Sequence, residues 1–181
     1  MIVCSDCATA FRQAGTIRAA TDAIGQCAEL LASMTDEQFR TSSAALFGAT
    51  IGQHVRHNLD HFGAALAALD GETIDYDRRE RGTLVETDRS TAQRELSDLA
   101  LRYARMGAET ESRPARVRVM VDSSGREAVL ESTLGREVAF AAHHAIHHHA
   151  MIGAIARELG IELPKGFGKA PSTLCHENAA R

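Results

Sequence analysis

The chain has 181 residues, 44% hydrophobic and 24% charged, with a formal net charge of −4. That is one soluble globular domain of ordinary size, without the basic excess of a nucleic-acid-binding surface. No run of about 18 uncharged apolar residues exists to span a bilayer, and Met1–Asp6 lacks the basic head and apolar run of a signal peptide. Cys4, Cys7, Cys27 and Cys175 are too scattered for a disulfide framework, so free thiols in a cytoplasmic protein are expected. Cys4-x-x-Cys7 sits at the extreme N-terminus with no βαβ pattern around it, and reads as terminus before it reads as a redox or metal motif.

Helical periodicity starts at about Ala8 or Thr16 and runs to Ser33, with Ile17, Ile24, Leu30 and Leu31 on one stripe. Thr35 then caps one or two short turns. A second long helix opens on the capping box Thr50-x-x-Gln53. It carries Ile51, Val55, Leu59, Phe62, Leu66 and Leu69 and stops at Gly71. The charged link Asp75–Gly82 leads to a third helix from about Ser90 to Met106. Arg116–Val121 alternates charged and apolar residues before Asp122-Ser-Ser-Gly125, and Ala128–Leu130 follows, the pattern of a small β-hairpin. The last helix runs from Ser132 or Leu134 to Leu159, with Gly160 as its stop. Residues 161–181 show no period and are expected to be loop. The reading is all-α: an up-down four-helix bundle over 1–160, with short links and a tail over 161–181.

Nine histidines stand out, because eight lie in two windows, three in 54–61 and five in 143–149. Two ligands on one helix share a face at spacing i, i+3 or i+4. On a projection of the last helix, His144 and His148 fall within roughly 50° of the apolar direction. His143 and His147 lie over about 100° away, and His149 on the opposite flank, so these three are expected at the rim or in solvent. An inward pair is either two hydrogen-bonded core histidines or two metal ligands. A second histidine cluster on another helix favours ligands, since bundles build such sites from facing helices. On that second helix His54 lies nearest the apolar stripe, while His57 lies about 150° from its centre, so periodicity favours His54 as the third ligand. No Ser/His/Asp arrangement presents itself, and Gly166-Phe-Gly168 is too short for a phosphate-cradling loop.

Thr50-Ile-Gly-Gln-His-Val-Arg-His57 and His144-Ala-Ile-His-His148 together resemble the two histidine motifs of the DinB/YfiT-like superfamily. Tyr76-Asp-Arg-Arg-Glu-Arg81 is similar to a Tyr-Asp-x-Arg-x-Arg stretch in one of its branches, and the resemblance spans roughly residues 10–160. It implies a four-helix bundle, often a homodimer, with a divalent metal held by three histidines and positions left open for water. Zinc or nickel is the expected ion, with iron or manganese as other candidates. The family's ligands fall on His57, His144 and His148, with His54 a competing ligand. The resemblance also implies chemistry: a metal-activated water or low-molecular-weight thiol attacking a small electrophile, in a thiol S-transferase or a hydrolase. His147 and His61 are then the candidate proton carriers, and Arg79 or Arg81 an anion clamp. The competing expectation is a non-catalytic bundle, stapled by metal or acting as a stress- or damage-associated module; a third is a metal buffer with several ions per chain. No nucleic-acid or membrane partner is expected.

Overall fold

A computed structural model describes residues 15–78 and 80–180. The Cys4-x-x-Cys7 motif and Arg79 lie outside the described residues. Helix α1 (Gly15–Ala32) buries Ile17, Ala20, Ile24, Cys27, Leu30 and Leu31. Burial pushes the Cys27 thiol up to about 12, so it stays a neutral packing group. Helix α2 (Asp36–Arg40) and helix α3 (Ile51–Leu66) both open on full capping boxes, Thr35 with Gln38 and Thr50 with Gln53. The structure thus places both starts where the local sequence put them. A 3-10 turn (Ala67–Asp70) extends α3 and ends at Gly71, whose φ of 77° needs a residue without Cβ. Short helix α4 (Leu84–Thr87) leads into α5 (Arg89–Ala104), capped by Asp88, whose side chain accepts from the Thr91 amide at 2.7 Å.

The expected hairpin is present as β2 (Pro114–Met120) and β3 (Glu127–Thr133), paired antiparallel from Pro114↔Thr133 to Met120↔Glu127. A third strand was not expected: β1 (Ile74–Asp75) adds to β2 in parallel, aligning Ile74 with Val117. Thr133 closes β3 and caps α6 (Leu134–Glu158), so the sheet hands the chain directly to the longest helix.

The four long helices form the expected bundle, with a core that joins Leu30, Phe39, Phe62, Leu96, Tyr103, Val138 and Ile152. Tyr103 packs edge-on to Phe62 at 5.7 Å and its hydroxyl donates to the Phe62 carbonyl at 2.9 Å. The links, however, are longer than expected. Helix α1 packs against α5 and α6, and α3 against α6 and α5, which leaves sequence neighbours α1/α3 and α5/α6 as diagonal pairs. Crossing a diagonal takes the stretches 33–50 and 105–133 rather than a tight turn.

Two expectations for the C-terminal third are corrected. The tail carries a helix, α7 (Pro171–Ala179), which opens on Pro171 and is braced by Lys169 to Glu177 at 2.7 Å. It buries no residue, so it has no apolar period to read. His149 is buried rather than at the rim, at 1% exposure, because the tail covers a second side of α6. Phe167 stacks on its ring at 4.6 Å and 15°, and Gly168 lies so close to the His149–Ala150 backbone that a Cβ would sit 2.7 Å from the Ala150 amide nitrogen.

Burial lowers the His149 pKa to about 4. The unfolded chain takes up that proton near 6.5 and the folded one does not, so stability falls as pH drops from about 6.5 to 4. For one group the swing is about 3 kcal/mol. Urea melts of wild type and His149→Phe across this range should show a shallower pH slope in the variant; equal slopes would exclude His149 as a source.

Candidate metal centre

The spacing of His54, His57 and His61 puts three imidazoles on one flank of α3, and α6 packs alongside with His144 and His148 facing them. All five rings meet. His57 Nε2 lies 2.8 Å from His144 Nε2, and His54 Nδ1 lies 2.9 Å from His148 Nδ1. Ring centroids of His148 are 4.3 Å from His57 and 4.7 Å from His144, and His61 stacks on His144 at 4.1 Å. His57, His61 and His144 form a group whose ligand nitrogens all lie within 4.8 Å of one another. His61 Nδ1 faces the His57 carbonyl oxygen at 3.1 Å. A carbonyl only accepts, so Nδ1 carries the proton and Nε2 keeps the lone pair.

Two of the clustered imidazoles, His148 and His54, are held toward the neutral form. Burial, then the charges of His57, His144, His54 and His147, push the His148 pKa down to about 2. Burial and then His147 lower that of His54. His147 itself is exposed, 5.6 Å from His148 between ring centroids, and His143 is exposed as well, as the projection expected. Neutral imidazoles converging from two helices are what a divalent transition ion requires, and so the residues present fit such an ion.

The side of the centre nearest the sheet is fixed by a second polar group. Tyr76 stacks on His61 at 5.1 Å and 15°, and its hydroxyl donates to Glu137 Oε2 at 2.9 Å. Glu137, 1% exposed, also accepts from the Ser132 hydroxyl at 2.6 Å and from Arg136 at 2.8 Å. Burial first, then the Glu137 charge and hydrogen bond, hold the Tyr76 phenol protonated well above its ordinary range. Phe140 closes this side, 5.1 Å from Tyr76 and 5.8 Å from His144.

The opposite side is open. A cleft of about 440 Å³ is lined by Gln53, His54, His57, His148, Arg81 and Glu86. Glu86 is engaged with Arg56 at 2.9 Å and the Gly82 amide at 3.0 Å, and among the described residues that line the cleft Arg81 is the exposed cation. A larger hollow of about 660 Å³ lies between α3 and α5, walled by Asp75, Arg78, Glu95, Asp98 and Arg102. None of the histidines is among the residues that line it.

The expected ligands His57, His144 and His148 and the competing His54 lie together in the structure. His61, expected as a proton carrier, stands with His57 and His144 in a group whose candidate ligand nitrogens lie within 4.8 Å of one another. The i, i+3, i+7 spacing of 54, 57 and 61 was the signal. The apolar-stripe projection obscured it, because α3 buries a histidine flank as well as an apolar one. Nothing in the local sequence pointed to Glu137.

A four-helix bundle with crossed connections, holding a histidine cluster between two of its helices, defines a class of helical proteins with a centre suited to metal. The DinB superfamily profile matches residues 20–152, and the chain belongs to that superfamily. Three solved structures share the fold. YfiT from Bacillus subtilis, described as "a probable metal-dependent hydrolase with an unusual four-helix bundle topology", is 19% identical with a TM-score of 0.58, over 81% of this chain and 87% of its own. A DinB-like protein from Bacillus cereus is 14% identical with a TM-score of 0.57, covering 83% and 94%. A second one from Bacillus subtilis, YjoA, is 16% identical with a TM-score of 0.53, covering 85% and 99%. Among curated proteins, FK506-binding protein 5 from Rhizopus delemar is 35% identical over 104 residues, 57% of this chain. The match spans 27% of that protein's length. No described helix is long and apolar enough to cross a membrane.

Proposed function

We propose that the chain is a metal-dependent enzyme of the thiol S-transferase or hydrolase type, acting on a small electrophile in the cleft between α3 and α6. What supports this is the group of ligand nitrogens of His57, His61 and His144 within 4.8 Å, beside a cleft open to solvent. These three residues would hold the ion, with His148 the family's alternative third ligand at their side. A three-imidazole site leaves positions open, and the bound ion would make water or a thiolate nucleophilic near neutral pH. His61 delivers its Nε2 because its Nδ1 is tied to the His57 carbonyl, and Tyr76 keeps its ring from turning. His147, exposed and 5.6 Å from His148 between ring centroids, carries the nucleophile's proton to solvent. Arg81 binds an anionic part of the substrate, such as a carboxylate on the electrophile or the thiol. Zinc or nickel suits the all-nitrogen donor set.

Metal analysis of the purified protein tests the reading. Wild type is expected to carry stoichiometric metal, and His57→Ala and His144→Ala to lose at least 10-fold in metal affinity. Thiol-conjugation and ester substrates should be turned over by wild type and not by the variants. Absence of metal, with variants behaving as wild type, would end the enzyme reading. Metal whose loss melts the fold, without turnover of any substrate, would instead identify an ion that staples α3 to α6.

A further inference from the structure

The link between α2 and α3 runs past the histidine cleft, and Ala49 in it is one of the lining residues. Residues 46–49 make a tight turn. The Ala49 amide donates to the Leu46 carbonyl at 3.0 Å, and both central residues take positive φ, Phe47 at 55° and Gly48 at 85°. That is the pattern of a type I′ turn, whose central residues are usually glycine, asparagine or aspartate. Among the described residues Phe47 is the one non-glycine with positive φ, so the position is strained. Its ring is fully exposed, and burial returns nothing to the fold. We infer that Phe47 is a substrate-contacting residue, whose ring forms the apolar rim of the cleft and takes up an aromatic group of the electrophile. This rests on the function proposed above and narrows its substrate class to an aromatic electrophile with an anionic group.

Three observations carry the inference. First, the turn is tied down at its base. Buried Ser43 donates its hydroxyl to Glu158 at the end of α6, and the Ala44 amide donates to the same carboxylate at 3.0 Å. The Ser43 amide donates to the Ala49 carbonyl at 3.0 Å, and the Gly48 amide to the Ser43 carbonyl at 2.8 Å. The surrounding bonds therefore impose the left-handed conformation on Phe47, which is how strain persists at ligand-contacting positions. Second, Phe47 is two residues from Ala49, within about 7 Å along the backbone, so its ring has the reach to meet a molecule in the cleft. Third, Ala49 is the one apolar side chain among the described residues that line the cleft; the others are imidazole, amide and charged groups. Sites for small organic molecules are mostly apolar with a few convergent polar groups, so the apolar share is missing from the walls and is offered beside them by Phe47. An aromatic ring stacked on the phenyl, with its anionic group at Arg81, presents the reacting carbon or sulfur to the histidines.

Two probes test this in wild type and Phe47→Asn. Benzohydroxamate and acetohydroxamate grip a metal through the same group and differ by one ring; both are titrated into zinc-loaded protein by calorimetry. The anionic aromatic dye 1-anilinonaphthalene-8-sulfonate is titrated by fluorescence into protein stripped of metal. The preference for benzohydroxamate over acetohydroxamate should fall about 3- to 10-fold in the variant, with acetohydroxamate affinity kept. The dye should bind at least about 3-fold more weakly to the variant. Asparagine suits the left-handed turn position, so the variant should also melt about 2–4 °C above wild type. An unchanged preference and an unchanged dye affinity overturn the role of Phe47 and leave the metal reading standing. A variant that melts below wild type would show that the ring braces the fold, and overturns the role as well. Wild type that takes up no zinc, yet loses dye affinity on substitution, would overturn the metal reading and uphold the Phe47 contact.

Discussion

Glu137→Ala is expected to cost about 2–4 kcal/mol of stability, a large share of the roughly 5–15 kcal/mol that holds a domain together. The carboxylate is 1% exposed and accepts hydrogen bonds from Tyr76, Ser132 and Arg136. Truncation leaves the Tyr76 hydroxyl in a dry pocket with no acceptor, and adds a cavity at the start of α6. Arg136 contributes less, because its side chain is 64% exposed and can turn to water. Glu137→Gln keeps the volume and most of the acceptor capacity and should cost about 1 kcal/mol. The same change reaches the histidines through Tyr76, whose ring fixes His61. Loss of an orienting partner of this kind lowers metal affinity about 10- to 100-fold. Urea melts and zinc competition against a chromophoric chelator measure the two effects. A Glu137→Ala protein within about 0.5 kcal/mol of wild type, with unchanged zinc affinity, would show that the group neither braces the fold nor positions His61.

The parts of this molecule that were legible in the sequence are those set by residues three or four apart. Thr50 with Gln53 and Thr35 with Gln38 announce helix starts because each capping box is closed within one turn. Gly71, Gly125 and Gly160 mark ends and turns because each takes a positive φ, at 77°, 84° and 68°. The inward pair His144/His148 followed from one helical period. What was not legible depends on distant partners. Strand β1 is two residues long and exists because β2 lies beside it, some forty residues later. His149 is buried because the tail folds over α6, and a projection with one apolar face has no means of showing a second cover. Glu137 reads as an ordinary first-turn acid of a helix, and its role depends on Tyr76, 61 positions earlier. Helix α7 offers no periodicity because none of its residues is fully buried, and Leu174 alone comes close to the Gly166 backbone.

Glycine substitutions in α3 separate the demands of the helix from those of the site. Gly52→Ala is expected to destabilise by about 3 kcal/mol or more, at the upper end of overpacking costs. A Cβ there would meet the Glu86 carbonyl oxygen at 2.1 Å, its carbonyl carbon at 2.8 Å and the Phe39 ring at 2.9 Å. The first two are backbone atoms, so α3 and α4 would have to move apart rather than rotate a side chain. That shift pulls Glu86 from Arg56, now 2.9 Å away, and moves the segment that carries Arg81 over the histidine cleft. Gly63→Ala, on the same helix, meets nothing within 4 Å. It gains the helix propensity of alanine and should stabilise by about 1 kcal/mol. Paired urea melts should therefore move in opposite directions. Were both variants to shift stability alike, the close contact of α3 with Glu86 would have to be abandoned, and with it the account of how the cleft wall is held.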